Sequence, residues 1–261
     1  MSTKILYPDS PILTTTCIAY RLSGYHNDTW PQIIARTASL SGALDPPYPY
    51  AVFIESDSVA NQWYRLGRAR VSLDVSDLIN PTAGIFRLYG YDKLDNLSIT
   101  PNVNIYSGAT FAAHNTLVSA DFDNFGSIPM CDTPISYANW NVGGANTFLL
   151  NANGMAAIKT AQAGDGILEV SIRNTNYDIA AISPTWSHTG SNDHTRMRFY
   201  GSYSGAGLRP SLTVTTTTIH PPYELTALEA LRNVEMSAGG RVYVDEQGNL
   251  KYESRYARNP T

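Results

Sequence analysis

Residues 70–75 read Arg70-Val71-Ser72-Leu73-Asp74-Val75, so polar and apolar side chains alternate with a period of two. Successive side chains of a β-strand point to opposite faces, and this alternation is typical of a strand with one buried and one solvated face. Further short β-type segments follow along the chain, with Gly, Pro and Asn between them, at residues 84–90, 102–106, 147–150, 167–172, 197–200 and 211–215. The sequence therefore predicts many short antiparallel strands.

Many short strands separated by turn residues are typical of an all-β sandwich or barrel. The sequence lacks the alternating strand and helix pattern of a nucleotide-binding α/β fold. Two short helices are predicted inside the β-framework, at residues 30–36 and 153–159, and Thr29 is a candidate N-cap for the first. We predict one antiparallel jelly-roll β-sandwich over residues 10–217, with its first and last strands close together.

Charge and hydropathy exclude several classes of function. The 261 residues include 18 Lys and Arg against 22 Asp and Glu, which gives a net charge of −4. A mildly acidic chain is a poor general binder of phosphate, so we expect no nucleic-acid partner. No apolar run reaches the roughly 18 residues that a membrane-spanning helix requires, so we expect no membrane span.

The composition changes at a Pro-Pro pair, which divides the chain into a predicted sandwich at 1–220 and a helix–hairpin anchor at 221–261. A helix is predicted at about 224–237, because its apolar side chains recur every three residues. A hairpin with strands at 241–244 and 250–254 follows. So small a unit buries too little to be stable alone, and we expect it to pack on another surface. The predicted assembly interface consists of Leu225, Leu228, Leu231, Val234, Tyr243, Tyr252 and Tyr256.

Several segments, taken in order, resemble the DNRLRE-like jelly-roll domains of phages and prophages. They are residues 70–79 with 85–90, 121–126 with Trp140, 146–158, and 198–203 with 209–215. The resemblance covers about residues 15–217 and implies a jelly-roll fold. The chain departs from the family pattern at its closing motif, where the acidic residue that usually follows the aromatic pair is absent.

The C-terminal segment carries a second resemblance. Residues 228–250 resemble a helix–hairpin segment of phage tail and baseplate proteins. This resemblance implies a structural virion protein of a tailed phage or phage-like particle, which acts in assembly, decoration or surface adhesion. The implied partners are other copies of the chain and other virion proteins, and the implied location is the virion.

Aromatic residues suggest an alternative function, a carbohydrate-binding module that reads a glycan on a host cell surface. Exposed aromatic rings have an apolar face and a polar tip, which suits both sugars and protein interfaces. Burial at the rim of the sandwich is the competing interpretation, and for Trp30 and Trp140 we expect the core. The candidate ligand-binding residues are Trp63, Tyr64, Trp186 and Tyr203, and Tyr48 and Tyr50 are further aromatics in predicted loops.

The sequence contains no recognisable catalytic motif, so we expect no enzyme. Nucleophile elbows, Walker loops and zinc-binding patterns are all missing. His188 and His194 flank Asp193 in the one histidine cluster, which we interpret as a polar loop over Trp186 and not as a metal site. We expect no cofactor, and Ca²⁺ is the one alternative, because clustered Asp and Asn in loops supply the oxygen ligands that it prefers.

Overall fold

The computed structural model describes residues 1–8, 16–22, 28–35, 40–44, 47–111, 113, 118–190, 193–205, 207–217, 241–244 and 250–253. The chain separates into two compact units, Met1–Thr217 and Thr218–Thr261. The predicted helix at 224–237 lies outside the described residues, together with Tyr256.

Strands make up most of the first unit. They are β1 (Ser2–Leu6), β2 (Thr16–Leu22), β3 (Leu40–Leu44), β4 (Tyr50–Ser56), β5 (Trp63–Asp74), β6 (Pro81–Asp95), β7 (Asn102–Ser107), β8 (Ile128–Pro129), β9 (Ile135–Ser136), β10 (Ala145–Leu149), β11 (Ile167–Asn174), β12 (His194–Phe199) and β13 (Ser211–Thr216). The two α-helices are α1 (Trp30–Ala35) and α2 (Ala152–Ala163). A 3₁₀ turn spans Ser119–Phe122, and a π-helical turn spans Thr175–Ile179.

Among the described residues, these thirteen strands form one curled hydrogen-bonded sheet with antiparallel pairing. The strand order is β1-β13-β6-β12-β4-β5-β11-β7-β8, while β10 pairs with β6, β2 pairs with β3 and β5, and β9 pairs with β7. The predicted all-β antiparallel class is confirmed. The first strand, β1, lies directly beside the last strand, β13, and it begins at Ser2, before the predicted start at residue 10.

The long strand β6 belongs to both layers of the sandwich. Its first part pairs with β13 and β10, up to Tyr89. Its second part, from Gly90 onward, pairs with β12. The loop after Trp140 packs against β6 at this change of partners, because Gly90 N–H donates to the Gly144 carbonyl at 2.9 Å and Gly143 N–H donates to the Gly90 carbonyl at 2.7 Å.

Tryptophan rings occupy the centre of the core. Trp30, Trp63 and Trp140 are at most 2% exposed, so the predicted core positions of Trp30 and Trp140 are confirmed. The rings of Trp30 and Trp63 meet edge to face with centroids 5.1 Å apart. The Trp30 indole N–H donates to the Tyr177 carbonyl at 3.2 Å, which ties α1 to the π-helical turn.

Strand β5 differs from its prediction in both length and burial. It begins at Trp63, seven residues before the predicted strand. The prediction missed this first half because its burial shows no regular alternation. The alternation at 70–75 predicted a solvated face, yet Arg70 and Ser72 are both fully buried. Strand β4 was not predicted, since its apolar run is buried on both faces and shows no period of two.

The second unit contains the predicted hairpin. Strand β14 (Arg241–Val244) pairs in antiparallel orientation with β15 (Leu250–Glu253). Arg241 lies opposite Glu253 at the open end. The backbone therefore places Tyr243 and Tyr252 on these two strands, as the sequence predicted.

We predict that Gly90→Ala destabilises the sandwich. A Cβ atom at this position would lie 2.1 Å from the Asn141 carbonyl oxygen, so the loop or β6 would have to move. Overpacking of this kind lowers the free energy of unfolding by roughly 1–3 kcal/mol, measurable by urea denaturation. Gly205→Ala is the matched control, because a Cβ atom there meets no atom within 4 Å. Equal stability of the two variants would contradict the prediction.

Candidate functional site

The sheet face turned away from the core is divided into a covered region and an open region. In the covered region, β5 and β11 direct charged side chains away from the core, and the segment 118–127 lies over them. In the open region, β4, β6 and β12 display tyrosines and arginines at the surface. The two regions adjoin where β4 pairs with β5, so one sheet supports both.

An ion triad of Arg68, Arg173 and Asp178 lies beneath the covering segment. The Asp178 carboxylate accepts hydrogen bonds from Arg68 Nε at 2.9 Å and from Arg173 Nε and Nη2, each also at 2.9 Å. Each of these three side chains is at most 9% exposed. Burial would raise the pKa of Asp178, but the charges and hydrogen bonds of Arg68 and Arg173 outweigh it and hold the pKa well below its ordinary value.

The remaining donors of the ion triad hold the covering segment in place. Arg173 Nη1 donates to the Phe125 carbonyl at 3.3 Å and to the Gly126 carbonyl at 3.1 Å. The Arg68 guanidinium lies 4.0 Å from the centroid of the Phe122 ring and donates to the Phe122 carbonyl. These contacts bury charged residues of β5 and β11 beneath the covering segment.

Carboxylates in the segments where Asp and Asn cluster take part in local structure. Asp121 accepts from Val118 N–H at 2.8 Å, and Asp95 accepts from the N–H groups of Ile99 and Thr100 at 3.1 and 2.9 Å. Within the described part of the chain, no group of three or more His, Cys, Asp or Glu side chains is placed to hold a metal ion.

The open region carries a tyrosine–arginine patch, which we define as Tyr48, Tyr50, Tyr91, Asp92, Arg196, Arg198 and Tyr200. Arg196 and Arg198 alternate along β12 with core residues, so both point away from the core. Arg198 lies opposite Asp92 of β6 and Tyr50 of β4 in the strand pairing. The register of three neighbouring strands thus assembles the patch.

Within the patch, Arg198, Tyr91 and Tyr48 form a stack. The Arg198 guanidinium lies 4.8 Å from the Tyr91 ring centroid. The Tyr91 and Tyr48 rings are nearly parallel, 12° apart in plane, with centroids separated by 3.8 Å. Tyr200 meets both rings close to edge-on, at 5.3 and 5.9 Å. Tyr48 ends the stack and is 37% exposed.

Asp92 connects the two arginines of the patch. Its Oδ1 accepts from Arg198 Nε at 2.7 Å, and its Oδ2 accepts from Arg196 Nη2 at 3.0 Å. Burial acts to raise the pKa of Asp92, but the hydrogen bonds and charges of the two arginines lower it below its ordinary value. Asp92 is therefore ionised, and two guanidinium groups share one carboxylate, which leaves one excess positive charge.

The structure separates the four ligand-binding residues predicted from sequence. Trp63 starts β5, is 0% exposed and packs on Trp30, so neither of its ring faces is open to a ligand. Tyr64 follows it and is half-buried, with a guanidinium 4.7 Å from its ring centroid. Trp186 is half-buried and stacks on His188, while Tyr203 is 78% exposed in the turn after β12. A platform role therefore does not fit Trp63.

Tyr64 and His188 meet at a small crevice of about 160 Å³, whose lining also includes Glu55, Asp57 and Asp193. The crevice therefore joins one predicted aromatic with the residue on which another, Trp186, stacks. Glu55 pairs with Arg65 at 3.3 Å and Asp193 with His188 at 3.3 Å, so Asp57 supplies the extra carboxylate of the crevice.

Asp193 holds the loop beside this crevice. Its carboxylate accepts from Gly190 N–H and Thr189 Oγ1, each at 3.0 Å, and lies 3.3 Å from His188 Nδ1. His194, the other histidine of the predicted cluster, belongs to β12 and packs on Phe53 at 5.4 Å. The predicted cluster is thus divided, with His188 in the loop beside Trp186 and His194 in strand β12.

Most of the patch escaped the sequence analysis. Tyr48 and Tyr50 were considered as loop aromatics, although Tyr50 begins β4. The pair Phe199-Tyr200 offered a usable signal, because adjacent aromatics in a strand point to opposite faces and one must face away from the core. The predicted interface residues Leu225, Leu228, Leu231 and Val234 lie outside the described residues.

Comparison with known proteins adds no family to these observations. A scan against models of protein families finds no match to this chain, and a search of curated proteins finds no significant match. Neither of the described α-helices combines the length and the apolar character that crossing a membrane requires. The phage-type role therefore stays a prediction from sequence motifs.

We predict that Asp178→Asn destabilises the sandwich by about 3–5 kcal/mol at pH 7, because two buried arginines lose their counter-charge. The pKa of Asp178 is lowered by folding, so its contribution is present above the pKa of the unfolded chain and is lost as the pH falls through the folded value. The difference between wild type and variant in urea denaturation should therefore shrink in acid.

Asp77→Asn is the control for this variant. Its carboxylate is 87% exposed and lies 3.6 Å from Lys4 Nζ, and exposed pairs of this kind contribute little. A loss of stability as large in the control as in Asp178→Asn, or the same difference at every pH, would contradict the assigned role of the ion triad.

Proposed function

We propose that this protein is a structural, non-enzymatic component of a tailed phage or phage-like particle, which acts in assembly, decoration or surface adhesion. The observation that supports a binding role is the tyrosine–arginine patch. Tyrosine and arginine are enriched among the residues that dominate binding energy at protein interfaces. The order of sequence motifs supports the particle, and the patch supports a role in which this sandwich binds another surface.

Rigid placement favours the patch as a binding surface. Tyr50, Arg196 and Arg198 lie on strands, and Tyr48 and Tyr91 are already stacked on one another. Binding to such a surface costs less conformational entropy than binding to mobile loops, because the side chains of the patch are already ordered.

The second unit is the proposed anchor. A two-stranded hairpin is marginally stable by itself, so β14 and β15 need a further surface to pack against. The apolar stripe predicted at Leu225, Leu228, Leu231 and Val234 would contribute about 1.5–3 kcal/mol for each side chain that becomes fully buried. The proposed partners are other copies of the chain or other proteins of the particle.

A carbohydrate-binding module is the second candidate function. The observation that favours it is the exposed ring of Tyr48, which is flat and held on one face by the parallel ring of Tyr91. In this role the sandwich attaches the particle to a glycan on a cell surface.

The particle role is tested by comparing the full chain with a chain shortened after Thr217. We predict that both give a cooperative melting transition, and that only the full chain bands with particles from the producing culture on a caesium chloride gradient. Leu228→Asp in the full chain tests the same contact if the shortened chain does not fold.

Two results would contradict the proposal in different ways. Absence of the full chain from particle bands would remove the virion role. Equal entry of the full chain, the shortened chain and Leu228→Asp into particles would show that residues 218–261 are not the anchor.

A further inference from the structure

We propose that the tyrosine–arginine patch binds an acidic oligosaccharide, with one pyranose ring stacked on the open face of Tyr48 and the carboxylate of another sugar unit, beyond the edge of Tyr91, paired with Arg196 and Arg198. This inference deepens the adhesion role and rests on it. Its evidence is the geometry of the stack, the way the stack is held, and the local charge.

The stack leaves one ring face available. Tyr91 covers one face of the Tyr48 ring at 3.8 Å, yet Tyr48 is still 37% exposed. The exposed area therefore lies on the opposite face and the rim of the ring. An aromatic face of this kind suits the apolar C–H face of a pyranose, while the phenol rim is available for hydrogen bonds with sugar hydroxyls.

Backbone hydrogen bonds hold the residues before and after Tyr48. Phe199 N–H donates to the Pro49 carbonyl at 3.0 Å, and Gly201 N–H donates to the Pro47 carbonyl at 2.9 Å. These two bonds fix the residues on either side of Tyr48 against the end of β12. The ring is thus preorganised, and a ligand that stacks on it does not have to order a loop.

Local charge selects an acidic sugar over a neutral one. Arg196 and Arg198 share the single carboxylate of Asp92, and their side chains are 26% and 20% exposed. The patch therefore has an excess positive charge on a chain whose net charge is −4. A sugar carboxylate complements that charge, and arginine is the side chain best suited to binding a carboxylate.

The crevice at Tyr64 has the opposite character. Its three carboxylates, Glu55, Asp57 and Asp193, face one arginine and one histidine, so it has an excess of acidic groups that disfavours an anionic sugar. The crevice and the tyrosine–arginine patch therefore differ in the sign of their charge, and a test with acidic ligands separates them.

Isothermal titration of the full chain tests the proposal with three acidic probes: tetragalacturonate, a hyaluronan tetrasaccharide and a trimer of sialic acid. Maltotetraose and chitotetraose are the neutral counterparts. We predict that at least one acidic probe binds, that the neutral probes bind at least tenfold more weakly, and that raising the salt concentration weakens the acidic binding.

Three variants locate the site. We predict that Tyr48→Ala and Arg196→Gln each weaken acidic binding at least tenfold. Tyr7→Ala is the matched control, because its ring also lies beside an arginine, Arg209, at 4.9 Å, but at the end of β1, outside the patch. It should bind like wild type, and all three variants should keep the melting temperature within a few degrees of wild type.

Several outcomes would overturn the inference. They are no binding of any acidic probe, equal binding of neutral probes, or unchanged binding in Tyr48→Ala. A fourth variant, Tyr64→Ala, tests the crevice. If Tyr64→Ala loses binding while Tyr48→Ala binds like wild type, the sugar lies at the crevice and the inference is overturned. Particle entry is measured separately, so a chain that enters particles and binds no acidic sugar refutes this inference and leaves the particle role standing.

Discussion

Two arginines and one aspartate, buried together on the outer face of the sheet, determine which part of that face meets solvent. Arg68 and Arg173 are the two cations. The segment 118–127 covers them, so their charges are removed from water and need a partner inside the protein. Asp178 is that partner, because it supplies the counter-charge from the π-helical turn that directly follows β11. A buried charge without a partner costs several kcal/mol, so the covering segment is stable only while the ion triad is complete.

The same ratio of charges recurs on the open half of the face with a different consequence. Arg196 and Arg198 share Asp92 as Arg68 and Arg173 share Asp178. In the buried triad, backbone carbonyls of the covering segment take the spare guanidinium donors. In the patch, no segment among the described residues covers the arginines, which are partly exposed, and Arg198 stacks on Tyr91. One arrangement therefore serves folding, and the other provides a charged surface that a ligand can reach.

The sequence predicted the fold class better than the site. Alternation located most strands correctly, since strand-forming segments with one apolar face carry that signal locally. The alternation was wrong about the outer side of β5, because polarity alone cannot show that Ser72 is buried against Glu169, 97 residues further along. Trp63 was placed in a loop for a related reason, since the start of β5 is irregular and its burial depends on Trp30 of α1.

The patch was beyond sequence analysis because it depends on register. Arg198 and Asp92 are 106 residues apart and meet only because β12 pairs with β6. A bulge in that pairing lies between Arg198 and Phe199, opposite the stretch of β6 that holds Tyr91. Such irregularities have no signature in a single sequence, whereas Tyr48 was visible as an aromatic between prolines. The phage-type motifs concern function and were not tested by the fold.

The division of the outer face by the ion triad is tested most directly by amide hydrogen exchange on Asp178→Asn. In the segment 118–127, amides such as Gly126, which donates to Ser171 Oγ at 2.9 Å, should exchange at least tenfold faster than in wild type. Amides of β6 and β12 under the patch should keep their protection, because their partners are unchanged. Unaltered exchange at 118–127, or an equal loss of protection over the whole sandwich, would contradict this account.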